Sequence, residues 1–205
     1  MSTAERLAFS INEERRGVHV LLWDEQEDLV RALLILLAAL EDDVVVHPLL
    51  VSPEQDRIHA LKEVVDTRCL LEEEREAEPP SPDSLANRFW VLFVQQASSR
   101  IAGPWLNGWR RPLSEPPGTL LVIRHADFES FQRNAPDLAS FAGPRLHNAS
   151  TMLSLVSKDS CARLSASLPP QIEEVLRELP GTLPSRKEIA QWIEAVRSFE
   201  DQTGE

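Results

Sequence analysis

The chain has 205 residues, 42% of them hydrophobic and 26% charged, with a formal net charge of −12. That length and apolar content suffice for a packed domain without a disulfide or metal, and they exclude disorder over the bulk of the chain. The negative field disfavours phosphate backbones and anionic membrane surfaces, so neither nucleic acid nor membrane is expected as a partner.

The opening residues to Arg16 read as a helix or arm, with Leu7 and Ile11 on one face, broken by Gly17. Val18 to Trp23 is an apolar, β-branched run that fits a strand buried on both faces. Asp24 stands where a helix cap belongs, and Glu27 completes a capping-box spacing, so a helix is expected from Glu25 to Leu40. Its apolar stretch, Ala32 to Leu40, is far short of the roughly 20 residues a membrane span needs. Val44 to Val51 is a second strand, and Pro48 places it at a strand end or sheet edge. Ser52 and Pro53 signal a helix start, with Ile58, Leu61, Val64 and Val65 at helical spacing as far as Leu71.

The acidic, proline-rich segment 72–83 reads as an exposed loop. Phe89 to Val94 is the strongest strand candidate. Residues 97–113 read as partly helical, interrupted at Gly103-Pro104 and ended by Pro112. After the turn at Pro116, Pro117 and Gly118, Thr119 to Ile123 is a fourth strand. Asp127 to Ala135 is a short helix with Phe128 and Phe131 on one face, and Thr151 to Val156 is a fifth strand. Helices follow at Gln171–Leu179 and Ser185–Phe199, the second carrying the stripe Ile189, Trp192, Ile193 and Val196.

Strands alternating with helices predict an α/β fold: a mostly parallel central sheet of about five strands, helices on both faces and a helical C-terminal segment. The expected organisation is an α/β domain over 1–160 with a helical extension, 161–205, packed on the same domain. Cys69 and Cys161 are isolated, which fits a reducing compartment. The start lacks the apolar core of a secretory signal, so a cytoplasmic location is expected.

Phosphate chemistry would require a glycine-rich loop followed by Lys and Ser/Thr ahead of a helix. The Gly103–Gly108 stretch, GPWLNG, is followed by Trp109 and Arg110 instead, and Pro104 removes a backbone donor. A strand ending in carboxylates would hold magnesium. Val20 to Glu25 has those letters but also fits a strand followed by a capped helix, and the better strand ends in Gln95 and Gln96, which are weak ligands for a hard dication. The five histidines are dispersed and form no metal-binding spacing. No cofactor, metal site or catalytic residue is assigned.

Two surface readings remain. Trp105 and Trp109, four residues apart, share a helix face and with Arg110 and Arg111 could anchor a protein partner, as could Trp192 in the last helix. Packing of the tryptophans onto the sheet is the competing reading. Arg124 and His125 follow the fourth strand, at the edge where open parallel sheets bind ligands, and are candidates for an anion. An unrecognised active site at that edge would draw on Asp24, Ser98, Ser99, Arg124 and His125.

Trp105 to Gly143 resembles a stretch of bacterial STAND-type ATPases: Leu106-Asn107, an Arg110-bearing helix, the apolar strand Leu120 to Ile123, and Ala135-Pro136-Asp137-Leu138 running to Phe141. With the strands at Val18, Val44 and Phe89 in compatible order, the resemblance covers Gly17 to Gly143. It implies a nucleotide-hydrolase scaffold. The departures imply one without its machinery, because the phosphate loop has no counterpart and the acid-bearing strand ends in glutamines. The resemblance therefore implies a regulatory or partner-binding role in a bacterial defence or signalling complex, with nucleotide binding without hydrolysis as a further alternative.

Overall fold

The computed structural model describes residues 3–14, 16–51, 62, 88–95, 103–114, 118–142, 145–153 and 156–203. The helix start at Ser52, the acidic segment 72–83, Cys69, Gln96, Ser98, Ser99 and the Pro116-Pro117 turn lie outside them. Among the described residues, β1 (Val18–Trp23), β2 (Val46–Val51), β3 (Phe89–Val94), β4 (Thr119–Arg124) and β5 (Leu146–Asn148) form a parallel sheet in the order β2-β3-β4-β1-β5. The helices include α1 (Thr3–Glu14), α2 (Gln26–Ala39), α3 (Arg110–Ser114), α4 (His125–Asn134), α5 (Pro136–Phe141), α6 (Lys158–Arg163), α7 (Pro170–Glu178) and α8 (Arg186–Thr203), and residues 103–108 are also helical. None is long and apolar enough to cross a membrane.

Composition follows position in this order. The interior strands β1 and β3 are buried at every residue, which is why their sequences are continuously apolar. The edge strand β2 is only half-buried over most of its length and tolerates Pro48. Phe89 N–H donates to Val45 O at 2.8 Å, and Val46 is in register with Phe89. By alternation, the nitrogen of Pro48 faces the open edge, where no ladder bond is lost.

Three sequence expectations are corrected. The fifth strand is Leu146–Asn148, and Ala149–Leu153, where a strand was expected from Thr151, is a 3₁₀ turn. The cap position of α2 is Glu25, not Asp24, and it makes no side-chain cap bond, while Glu27 pairs with Arg31 one turn on. The break in the segment 103–114 falls at Trp109 rather than at Gly103-Pro104, and Pro112 lies inside α3. Pro112 cannot donate to the Gly108 carbonyl, so the helical ladder lapses there without ending the segment.

By compactness the chain divides into two units, one of Met1–Glu13, Trp23–Glu41 and His147–Glu205 and another of Glu14–Leu22 and Asp42–Leu146. In the second unit, Val18, Val20 and Leu22 of β1, Trp90, Leu92 and Val94 of β3, and Leu121 and Ile123 of β4 form one cluster with Leu106, Leu113, Phe131 and Leu138. Each of these large side chains contributes about 1.5–3 kcal/mol on burial. Phe128 stacks on Phe131 at 6.5 Å between ring centres.

In the first unit, α2 lies against the 3₁₀ turn and α6, and α6 against α8. Gln26, at the start of α2, donates to Leu176 O of α7 at 2.5 Å. Gly181, at φ +130°, lets the chain pass close by: a Cβ there would stand 2.8 Å from Gln26 Oε1. Arg197 of α8 donates to Cys161 O (3.4 Å) and Leu164 O (3.2 Å) at the end of α6.

Candidate partner-binding and anion-binding face

The segment 103–114 is fixed at its end and at Asn107 in the second unit. At its end, Leu113 O accepts from the buried Thr119 hydroxyl at 2.7 Å, and Ser114 O accepts from Gly17 N–H at 2.6 Å. Orphan helix carbonyls are thereby satisfied by the starts of β4 and β1. Gly118, at φ +92°, allows this approach, since a Cβ there would lie 2.9 Å from Gly17 O.

Further back, Asn107 holds the segment to α5. The cap position of α5 is Ala135, whose side chain has no oxygen. Asn107 Oδ1 supplies the missing acceptor and receives Leu138 N–H at 3.0 Å, while its amide donates to Asp137 at 3.1 Å. Arg110 adds an ion pair to Asp137 at 3.7 Å. Leu106 and Leu138 are fully buried beneath these contacts. Leu106, Asn107, Arg110, Asp137 and Leu138 thus meet in space through packing, capping or ion-pair contacts, whereas Phe141 is 52% exposed.

On this frame Trp105 is 47% exposed. It stands edge-on to Trp109 at 5.8 Å between ring centres, and Trp109 is half-buried against the core cluster. Arg110 and Arg111 are exposed on the following turn. The segment therefore presents one aromatic ring to solvent, braced by a second ring that is tied to the core. Trp192 belongs to the first unit, where it is half-buried with the Arg31 guanidinium 5.5 Å from its ring centre.

Arg124 ends β4 and occupies the cap position of α4, with an exposed side chain, and exposed His125 opens the helix. The strand order explains why this place is open. From β1 the chain crosses past β4 and β3 to β2, whereas from β4 it crosses in the opposite direction past β1 to β5. The order reverses between β4 and β1, and such a reversal leaves a crevice at the carboxyl ends of the strands. Asp127 already places a carboxylate in the first turn of α4. Burial raises its pKa from the ordinary value of 3.8, against the opposing charge of Arg124.

Asp24 is exposed after β1. Among the described residues, no group of three or more His, Cys, Asp or Glu side chains is placed to hold a metal ion. Sequence reasoning missed the capping task of Asn107 and also a cavity in the first unit bordered by Glu5, Phe9 and Asp159. Phe9 carried a signal: it lies two residues from Leu7, on the face of α1 opposite to Leu7 and Ile11. No protein-family model, curated protein or solved structure matches the chain.

Proposed function

We propose that the chain is a non-catalytic, partner-binding regulatory module, built on a scaffold akin to a STAND-type ATPase that has lost its hydrolytic parts and serving a bacterial defence or signalling complex. The observation that carries this reading is the connection from β1 to α2. A helix that cradles phosphate needs exposed N–H groups, glycines and a cation at its start. Here Trp23 is joined to Gln26 through Asp24 and Glu25 alone, and Glu27 and Asp28 lie in the first turn. Carboxylates in this first turn favour the helix dipole themselves and would repel a triphosphate there, which supports the reading. The strand that should be followed by an acid, β3, is followed by Gln95.

The partner is assigned to Trp105 with Arg110 and Arg111, supported by the half-exposed ring and its brace on Trp109. Trp and Arg are the side chains that most often dominate binding energy at interfaces. The test is isolation of the tagged chain from its native host, beside Trp105→Ala and Arg111→Glu variants. An equimolar protein should co-purify with the parent chain, and Trp105→Ala should weaken the complex by about 2 kcal/mol, roughly thirtyfold in Kd. Absence of any stoichiometric partner, together with turnover by the purified chain, would overturn the reading in favour of an enzyme.

A further inference from the structure

A cavity of about 370 Å³ in the first unit is bordered by α1, the end of α2 and the start of α6. Much of its wall is held rigid by bonds to backbone. Glu5, only 5% exposed, accepts Ser157 N–H at 2.7 Å. Asn12 donates to Ala39 O and accepts from Glu41 N–H, both at 3.2 Å. Arg163 donates to Leu40 O at 2.8 Å, where α2 ends.

Two side chains on this wall have no such duty. Phe9 is 57% exposed, although its helix neighbours Leu7 and Ile11 are in the core. Asp159 is exposed, and its carboxylate makes no hydrogen bond or ion pair with any described residue. An aromatic face and an uncommitted carboxylate on one rim, over a wall holding a buried second carboxylate, match a single ligand chemistry. The ring attracts a cation through its quadrupole. The carboxylate adds a charge-assisted hydrogen bond. Ala38 and Ala39 offer an apolar wall to a short stem.

The geometry points to this cavity as a binding site for a small organic cation, a guanidinium or primary ammonium group on an aliphatic stem. Its volume falls within the range of ligand pockets, roughly 300–1,000 Å³. The lining holds two carboxylates, Glu5 and Asp159, and one guanidinium, Arg163, which donates to the Leu40 carbonyl, so carboxylates outnumber cations there. The net charge of −12 enriches cations around the whole chain and depletes anions. The cation has two conceivable sources, a free amine or a basic side chain of another protein, and the site recognises the same chemistry in both.

Calorimetric titration of the full chain at constant ionic strength tests the assignment. The probes are arginine amide and norleucine amide, both acetylated at the α-nitrogen so that the second is an uncharged control, and an end-blocked glycine–serine peptide with one central arginine. Arginine amide should bind saturably, and Phe9→Ala and Asp159→Asn should each weaken it about tenfold while keeping the parent melting temperature, since both side chains are exposed. Peptide binding at least tenfold tighter than arginine amide would identify a protein side chain as the source, and equal binding would identify a free amine. The assignment is overturned if neither cation saturates below about 10 mM. It is equally overturned if norleucine amide binds as well, or if both variants bind unchanged. These substitutions leave Trp105 and Arg111 intact, so the result is independent of the partner reading above.

Discussion

Asn107 shows how much a single polar side chain settles in this molecule. The start of α5 needs an acceptor that Ala135 cannot supply, and Asn107 supplies it from another segment while donating to Asp137. Removing a cap acceptor costs about 1–2 kcal/mol, and here the loss also frees the segment that presents Trp105. Asn107→Ala should therefore lower unfolding stability by that amount in urea titration. The fall should be smaller when Asp137 is already alanine, because the two substitutions share one interaction. Strict additivity in that double-mutant cycle would deny the coupling.

At the scale of elements, legibility followed burial. β1, β3 and β4 were readable because interior parallel strands are apolar at nearly every position, leaving a short run with clear ends. β5 was not, since Leu146–Asn148 is short, lies at an edge and contains a histidine and an asparagine. The helix Lys158–Arg163 was missed for a similar reason: six residues, of which only Ser160 and Cys161 are buried, carry too little periodicity. The last helix announced itself through its stripe, and its start is fixed by a reciprocal cap. Ser185 hydroxyl and N–H both donate to Glu188 at 2.7 Å, and Glu188 N–H donates back to the Ser185 oxygen at 3.3 Å.

Those bonds from Ser185 hold the Glu188 carboxyl below its ordinary value of 4.5. A carboxyl depressed by folding stabilises the folded state above its unfolded value, and that stabilisation disappears as pH falls through the folded one. Glu188→Ala should accordingly be less stable than the parent chain at pH 7, with the difference shrinking as the solution is acidified below pH 4.5. Denaturant titration at several pH values measures it. A difference independent of pH would mean that the carboxylate charge has no part in the cap.

At the scale of the whole molecule, what the sequence conveys is a list of elements, and what it hides is their gathering. The first compact unit draws on three separate stretches, Met1–Glu13, Trp23–Glu41 and His147–Glu205, so the cavity beside Phe9 joins residues far apart in sequence. No local pattern encodes such a meeting. The candidate face of the second unit was more legible, because Trp105, Trp109, Arg110 and Arg111 lie close together on one segment. Even there, the sequence could not separate the ring that braces from the ring that is exposed.

The account as a whole rests on the proposal that the carboxylates following β1 exclude a triphosphate. Thermal unfolding of the purified chain, followed while ATP or GTP is raised to millimolar concentration with magnesium, tests this most directly, because any ligand that prefers the folded state raises its melting temperature. The account predicts no change with either nucleotide. A saturable rise that disappears on substituting a single residue at the end of β1 or β4 would contradict it.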